Sequence, residues 1–373
     1  MNKIVKAAII SGIVIAVIIG AFFAVIPLAT SNEAKARLGE ALADLGISGD
    51  DWRAENTYYV PLLGRLVINK FEIGERGSSG SLEIKKITIA LDTGRNDLFA
   101  GSINAREISL LLEGVGITVD NFSIDNFSVD TELFHNEPLE AVKKLGKISM
   151  DRAVFTENGR TYFSLGKFNA DIGYTEGKIP LDSSVTLKDF VIDIRKFIPN
   201  QAWRPEYRLS TFELKNNFSN GDYKASFVID GVNLFSIKTE ISISFPYEFL
   251  SSGEINALAG VDFDEDIKFN SFIFTYTDKS FLDHAFGLAG VNGGKEHAAE
   301  ELRELLMVFA MMGGDEAERL ADEAARYIAK PGKLELKTNF YSPMSFEDLS
   351  KDPFGMNLSL SLNNGKPFTI GDF

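Results

Sequence analysis

The sequence predicts a mainly β protein: curved antiparallel sheet with one apolar face, an inserted helical hairpin, and a single N-terminal transmembrane helix. Three observations lead there. The first is a strict two-residue alternation over most of the chain, clearest from Phe235 to Phe245. There Phe235, Ile237, Ile241, Ile243 and Phe245 point one way, with Thr239 in their row, and Ser236, Lys238, Glu240, Ser242 and Ser244 point the other. Such a pattern gives each strand an apolar and a wet face, as antiparallel sheets commonly have. The second is the set of Asn-Gly pairs at 158–159, 220–221 and 364–365, which supply the positive φ that tight hairpin turns need. The third is Ala7 to Ala29, which carries no charge. As a helix it would extend about 34 Å, enough for a hydrocarbon core of roughly 30 Å.

Lys3 and Lys6 precede this apolar stretch and Glu33, Lys35 and Arg37 follow it. The positive-inside rule then keeps the N-terminus in the cytoplasm and sends the body across the membrane. The stretch exceeds the usual apolar region of a cleaved signal peptide, so a retained anchor is expected over residues 1–30. Ser31 to Leu45 follows as an amphipathic helix (31–46), with Leu38, Ala41, Leu42 and Leu45 in one stripe and Gly46 ending it; it is expected near the bilayer surface. Residues 47–373 form the extracytoplasmic β-rich domain, interrupted by a helical insertion at 279–331. In that insertion Ala298 to Met312 and Asp315 to Ala329 are Ala-, Leu- and Glu-rich, separated by Gly313-Gly314 and ended by Pro331-Gly332.

Ile117 to Asp130 contains a local repeat, ITVDN-FSIDN-FSVD. Its apolar pairs recur every five residues, so the side-chain phase flips at Asp120-Asn121 and at Asp125-Asn126. Two architectures produce that: coils of a pentapeptide-type β-helix, or strands that bend at the Asp-Asn steps and keep their apolar face inward.

Composition excludes several chemistries. The net charge of −15 repels nucleic acid and anionic lipid surfaces. Cysteine is absent, which removes disulfides, thiolate catalysis and Cys-based metal sites. The histidines, His135, His284 and His297, have no ligand spacing. Gly290 to Lys295 is one residue short of a phosphate loop, and Glu296 stands where such a loop needs Ser or Thr. Asp262 to Asp266 imitates the start of a calcium loop, but Ile267 and Ile273 occupy the required Gly and Glu positions. No catalytic, cofactor or metal residue is therefore expected, and no nucleotide partner. Met307, Met311 and Met312, with Leu305, Leu306 and Phe309, are expected to pack in the core.

The layout resembles the AsmA-like superfamily of bacterial envelope proteins, including its YdgA-type relatives. The residues that carry the resemblance are Pro61 to Leu66, Asn69 to Ile73, Asn121 to Ile124, Asn126 to Val129 and Asp189 to Ile192, behind a short basic start and one membrane helix. The resemblance implies an inner-membrane anchor, a periplasmic curved sheet with an apolar concave face, and a role in lipid traffic. On this reading the protein handles membrane lipid or another amphiphile in an apolar groove containing Phe122, Ile124, Phe127, Val129, Phe235, Ile237, Ile241 and Ile243. The alternatives are an envelope scaffold with a sealed core, whose partners are other envelope proteins, and an envelope hydrolase.

Overall fold

The computed structural model describes residues 47–60, 64–74, 80–92, 98–112, 114–130, 142–175, 182–193, 206–219, 222–246, 264–289, 294–338, 342–351 and 357–369, together with positions 35, 36, 38, 39, 42, 43, 262 and 340. The anchor expected at residues 1–30 lies outside them. Among the described residues no helix is long and apolar enough to cross a membrane.

The described residues form an open, antiparallel, 16-stranded sheet in which almost every strand pairs with its neighbour in sequence. Two compact units divide it, residues 1–176 with 187–197, and residues 177–186 with 198–373. The first contains β1 (Trp52–Val60), β2 (Arg65–Ile73), β3 (Ser81–Asp92), β4 (Leu98–Leu112), β5 (Val115–Asp130), β6 (Val142–Glu157), β7 (Arg160–Thr175) and the second half of β8 (Asp182–Asp193). The second contains β9 (Glu206–Ser219), β10 (Asp222–Gly231), β11 (Phe235–Ser244), β12 (Lys268–Asp278), β13 (Lys333–Thr338), β14 (Met344–Ser345), β15 (Leu358–Leu362) and β16 (Phe368–Thr369). Helices α1 (Phe281–Ala289) and α2 (Gly294–Ala329) fall between β12 and β13, and the short α3 (Phe346–Lys351) follows β14. Asn158 and Gly159 have φ of 51° and 75° and turn β6 into β7, as two-residue hairpins require.

A seam of extra residues crosses the first unit. In β5 and β6, Val119 pairs with Ala153 and Asn121 with Asp151, leaving Asp120 and Arg152 out of the ladder. The same omission occurs at Glu55 and Lys70 between β1 and β2, at Lys85 and Glu107 between β3 and β4, and at Arg152 and Gly166 between β6 and β7. Lys70, Glu107, Arg152 and Asp189 adopt positive φ, a conformation side chains other than Gly enter at a cost. The cost is shared by cross-strand ion pairs: Lys70 with Glu55, Lys85 with Glu107 and Arg152 with Asp120. Each extra residue bends its strand and restores the inward phase of the next apolar side chain. The ITVDN-FSIDN repeat is therefore bent strand rather than β-helix coil, with a second break at Asn126, φ 57°, opposite Gly146.

The inward face so produced is sealed. Leu66, Phe71, Ile84, Ile87, Ile89 and Ile103 are each no more than 2% exposed. Leu38 and Leu42, in helical backbone, belong to the same core, and Trp52 packs on Phe71 with ring centroids 6.2 Å apart. Leu38 and Leu42, two members of the stripe expected at a bilayer, thus pack in this core; Ala41 and Leu45 lie outside the described residues. Gly39 lets Trp52 approach, since a Cβ there would sit 3.3 Å from the indole.

Glycine is required where strands bend against one another. A Cβ on Gly146 would meet the Asp125 carbonyl oxygen at 2.9 Å and Asn126 Cβ at 2.8 Å, whereas one on Gly49 would meet nothing. Gly146→Ala is expected to lower the free energy of unfolding by about 1–3 kcal/mol through overpacking, and Gly49→Ala to leave it within about 0.5 kcal/mol. Denaturant titration of the two variants checks this.

Candidate functional site

The strands of the second unit pair in cross-strand rows of apolar side chains, with the register shifting at Asp230-Gly231 on β10 and at Asn270 on β12. One row runs Phe212, Ile229, Ile237, Tyr276, Leu334, Leu362. The next runs Leu214, Phe227, Thr239, Phe274, Leu336, Leu360. A third contains Ala225, Ile241 and Phe272, and a fourth Phe218, Tyr223, Ile243 and Phe269. The opposite face carries Glu213 beside Lys215, Lys238 beside Glu240 and Lys333 beside Glu335, each an ion pair.

The burial of the apolar rows differs from that of the first unit. From β9 to β13 every one of these side chains is only half-buried. Burial is complete only at the far end, where Leu362 and Phe368 lie beneath α2 and the Arg319 guanidinium stacks 3.9 Å from the Phe368 ring centre. Aromatic contacts stiffen the open part: Phe212 meets Phe227 edge-on at 5.3 Å and Phe218 meets Tyr223 at 5.0 Å. The rows are half-buried and not exposed, and each keeps part of its apolar area in contact with water.

The residues expected in one groove therefore separate. Phe235, Ile237, Ile241 and Ile243 lie on the half-buried face of the second unit. Ile124 and Phe127 are 6% and 5% exposed inside the sealed core of the first unit, with Phe122 packed against it. Those three lie in the packed core of the first unit and not on the half-buried face that carries Phe235 to Ile243. Val129 pairs with Phe99 and Val142 on β5, and its side chain lies outside the described residues.

The helices flank the open face. Although α2 is helical throughout, Gly313-Gly314 included, Arg303 Nε donates to Asp322 Oδ1 over 2.7 Å. Nineteen residues of straight helix would hold these groups about 28 Å apart, so α2 folds back on itself between them. Ala299, Ala321 and Ala325 are buried, and their small side chains let the two arms approach. Leu305 and Val308, by contrast, are 59% and 63% exposed, while Leu306 and Met307 are half-buried; the side chains of Phe309, Met311 and Met312 lie outside the described residues.

Where α1 meets the sheet, the open face ends in a polar corner that sequence reasoning missed. Phe235 pairs with Asp278 and Ile237 with Tyr276. Phe281 packs edge-on against Phe235 at 5.5 Å, and the Phe235 and Tyr276 rings lie 6.5 Å apart. Tyr276 Oη donates to Asp278 Oδ1 at 2.7 Å, and the Leu282 amide donates to the same oxygen at 3.1 Å, so Asp278 caps α1. Tyr327 is 6% exposed, and its hydroxyl finds no protein partner; the same holds for Nε2 of His284. Burial first, and then the charge of Asp278, push the Tyr327 hydroxyl up to about 12. The Tyr276 hydroxyl moves the same way, first through burial and then through its bond to Asp278. The only advance signal was Tyr276 two residues before Asp278, too common a pair to read as a site.

The acidic turn at Asp262 closes on itself: the Asp264 amide donates to Asp262 Oδ1 at 3.0 Å and the Asp262 amide to Asp266 Oδ2 at 2.9 Å. A groove of about 810 Å³ follows the seam of the first unit, lined by Glu55, Lys70, Lys85, Glu107 and Asp120. Lys70 and Lys85 there are spent on the seam's own carboxylates.

Comparison with known proteins adds a family model, described as an uncharacterized protein, that matches residues 226–363. That stretch contains β11 to β13, both helices of the insertion and the polar corner. No curated protein matches the chain.

A buried hydroxyl without a partner costs stability. Tyr327→Phe is expected to raise the unfolding free energy by about 1 kcal/mol, visible as a higher melting temperature. An unchanged or lower melting temperature would show that the hydroxyl is satisfied.

Proposed function

We propose that the protein handles a lipid or similar amphiphile on the apolar face of β9 to β13, as a non-catalytic component of a bacterial envelope. The observation that carries this reading is the half-burial of every apolar side chain in those rows, beside a first unit whose equivalent face is sealed. An open apolar face in water is unfavourable by about 25 cal/mol for each Å² left uncovered. An acyl chain laid along it recovers about 0.8 kcal/mol per buried methylene. The strands suit such a chain, since the 10 residues of β11 extend roughly 33 Å.

The uncharged stretch from Ala7 to Ala29 supports an anchor in the inner membrane, with a cytoplasmic N-terminus and a periplasmic body. This is also the arrangement that the resemblance to the AsmA-like superfamily implies, and the curvature of the sheet belongs to the same proposal. A second reading, an envelope scaffold, draws on the exposed Leu305 and Val308, which would seat a partner protein.

The test is photo-crosslinking in cells from benzoylphenylalanine placed singly at Ile241 and at Ile84 in the full chain. Lipid adducts at Ile241 and none at Ile84 support the proposal. Protein adducts alone at Ile241 support the scaffold and overturn lipid handling.

A further inference from the structure

The polar corner closes one end of the apolar face, and its composition restricts what can lie there. It contains one carboxylate, Asp278, and two tyrosine hydroxyls, Tyr276 and Tyr327, which feel its charge. Among the described residues no Lys or Arg forms an ion pair with Asp278: Lys279 is spent on Asp230 and Lys295 on Asp283, with Asp278 the weakest of the carboxylates acting on it. Both hydrogen bonds that the Asp278 side chain accepts fall on Oδ1, which leaves Oδ2 without a hydrogen bond from those residues. The Tyr327 hydroxyl, buried and without a protein partner, is the complementary donor.

We infer that this corner receives the polar end of the amphiphile proposed above and selects a head group that donates hydrogen bonds and bears no negative charge. An O–H or N–H of the head donates to Asp278 Oδ2, and a head-group oxygen, where there is one, accepts from Tyr327. Phe235, Phe281 and the ring of Tyr276 form the apolar wall against which the first methylenes lie. A carboxylate or phosphate head meets Asp278 as a like charge in a partly desolvated place, which costs more than it does in water. The hydroxyls of Tyr276 and Tyr327 are both harder to ionise than an ordinary phenol; Tyr276 spends its hydrogen on Asp278, and Tyr327 stays available as a neutral donor.

This inference rests on the amphiphile reading, and native mass spectrometry of the full chain in mild non-ionic detergent separates the two. The chain is offered 1-monooleoylglycerol, oleylamine and oleate, which share one hydrocarbon chain and differ in the head, at salt high enough to screen long-range attraction to the acidic body. Monooleoylglycerol and oleylamine are expected to bind at concentrations about tenfold lower than oleate, the difference one charge-assisted hydrogen bond makes. Asp278→Asn keeps an oxygen to cap α1 and is expected to shrink that preference to about threefold or less. Ile241→Glu is expected to weaken all three alike. Oleate binding as well as the other two, or an unchanged preference in Asp278→Asn, overturns the corner and leaves the apolar face standing. Failure of all three to bind overturns both.

Discussion

An apolar sheet face in water has to be covered, and the two units of this chain meet that constraint in different ways. In the first unit each strand from β2 to β8 inserts an extra residue at the seam, bends there, and keeps its apolar side chains turned inward. Leu38 and Leu42 complete the cover, and residues such as Ile84 and Ile103 are almost entirely out of water. In the second unit the register shifts at Asp230-Gly231 and at Asn270, and the rows from Phe212 to Leu334 stay half-buried. Hydrophobic burial therefore stabilises the first unit outright, while the second keeps part of its potential burial for something else.

The proposed amphiphile binding rests on that difference and not on any group of reactive side chains. The polar face of each unit is neutralised locally, with Lys85 on Glu107 and Lys238 on Glu240. Such exposed pairs contribute little individually, but they leave the charged positions of the wet face engaged with each other. Buried polar atoms without a hydrogen-bond partner occur in both units, at Trp52 and Thr57 as well as at His284, Glu323 and Tyr327. Of these the Tyr327 hydroxyl lies near enough to Asp278 to feel its charge.

Much of the fold was legible in the sequence, because alternation and Asn-Gly turns are local signals. Phe235 to Ser244 reads as a strand from its own side chains, and Asn158-Gly159 as its own turn. The seam was legible in part. Two polar residues between two apolar ones recur as Ile68-Asn-Lys-Phe71, Ile84-Lys-Lys-Ile87, Val119-Asp-Asn-Phe122 and Leu187-Lys-Asp-Phe190, and the Asp-Asn steps drew attention while the Lys-Lys and Asn-Lys steps did not. What alternation cannot reveal is cover. Ile124 and Ile241 both alternate with polar neighbours, yet one is buried and the other half-buried, because cover depends on segments distant in sequence such as the helix bearing Leu38. The polar corner was invisible for the same reason: Tyr327 reaches Tyr276 and Asp278 only after α2 has folded back on itself.

The central claim, that the second unit leaves its apolar face open, is tested most directly by solvent access. Native cysteine is absent, so single cysteines at positions 241 and 84 report their own surroundings without background. With no amphiphile present, thiol labelling at position 241 should proceed at nearly the rate of an exposed control at Lys238, while position 84 stays protected until the protein unfolds. Equal protection at 241 and 84 would contradict the account, since both faces would then be sealed.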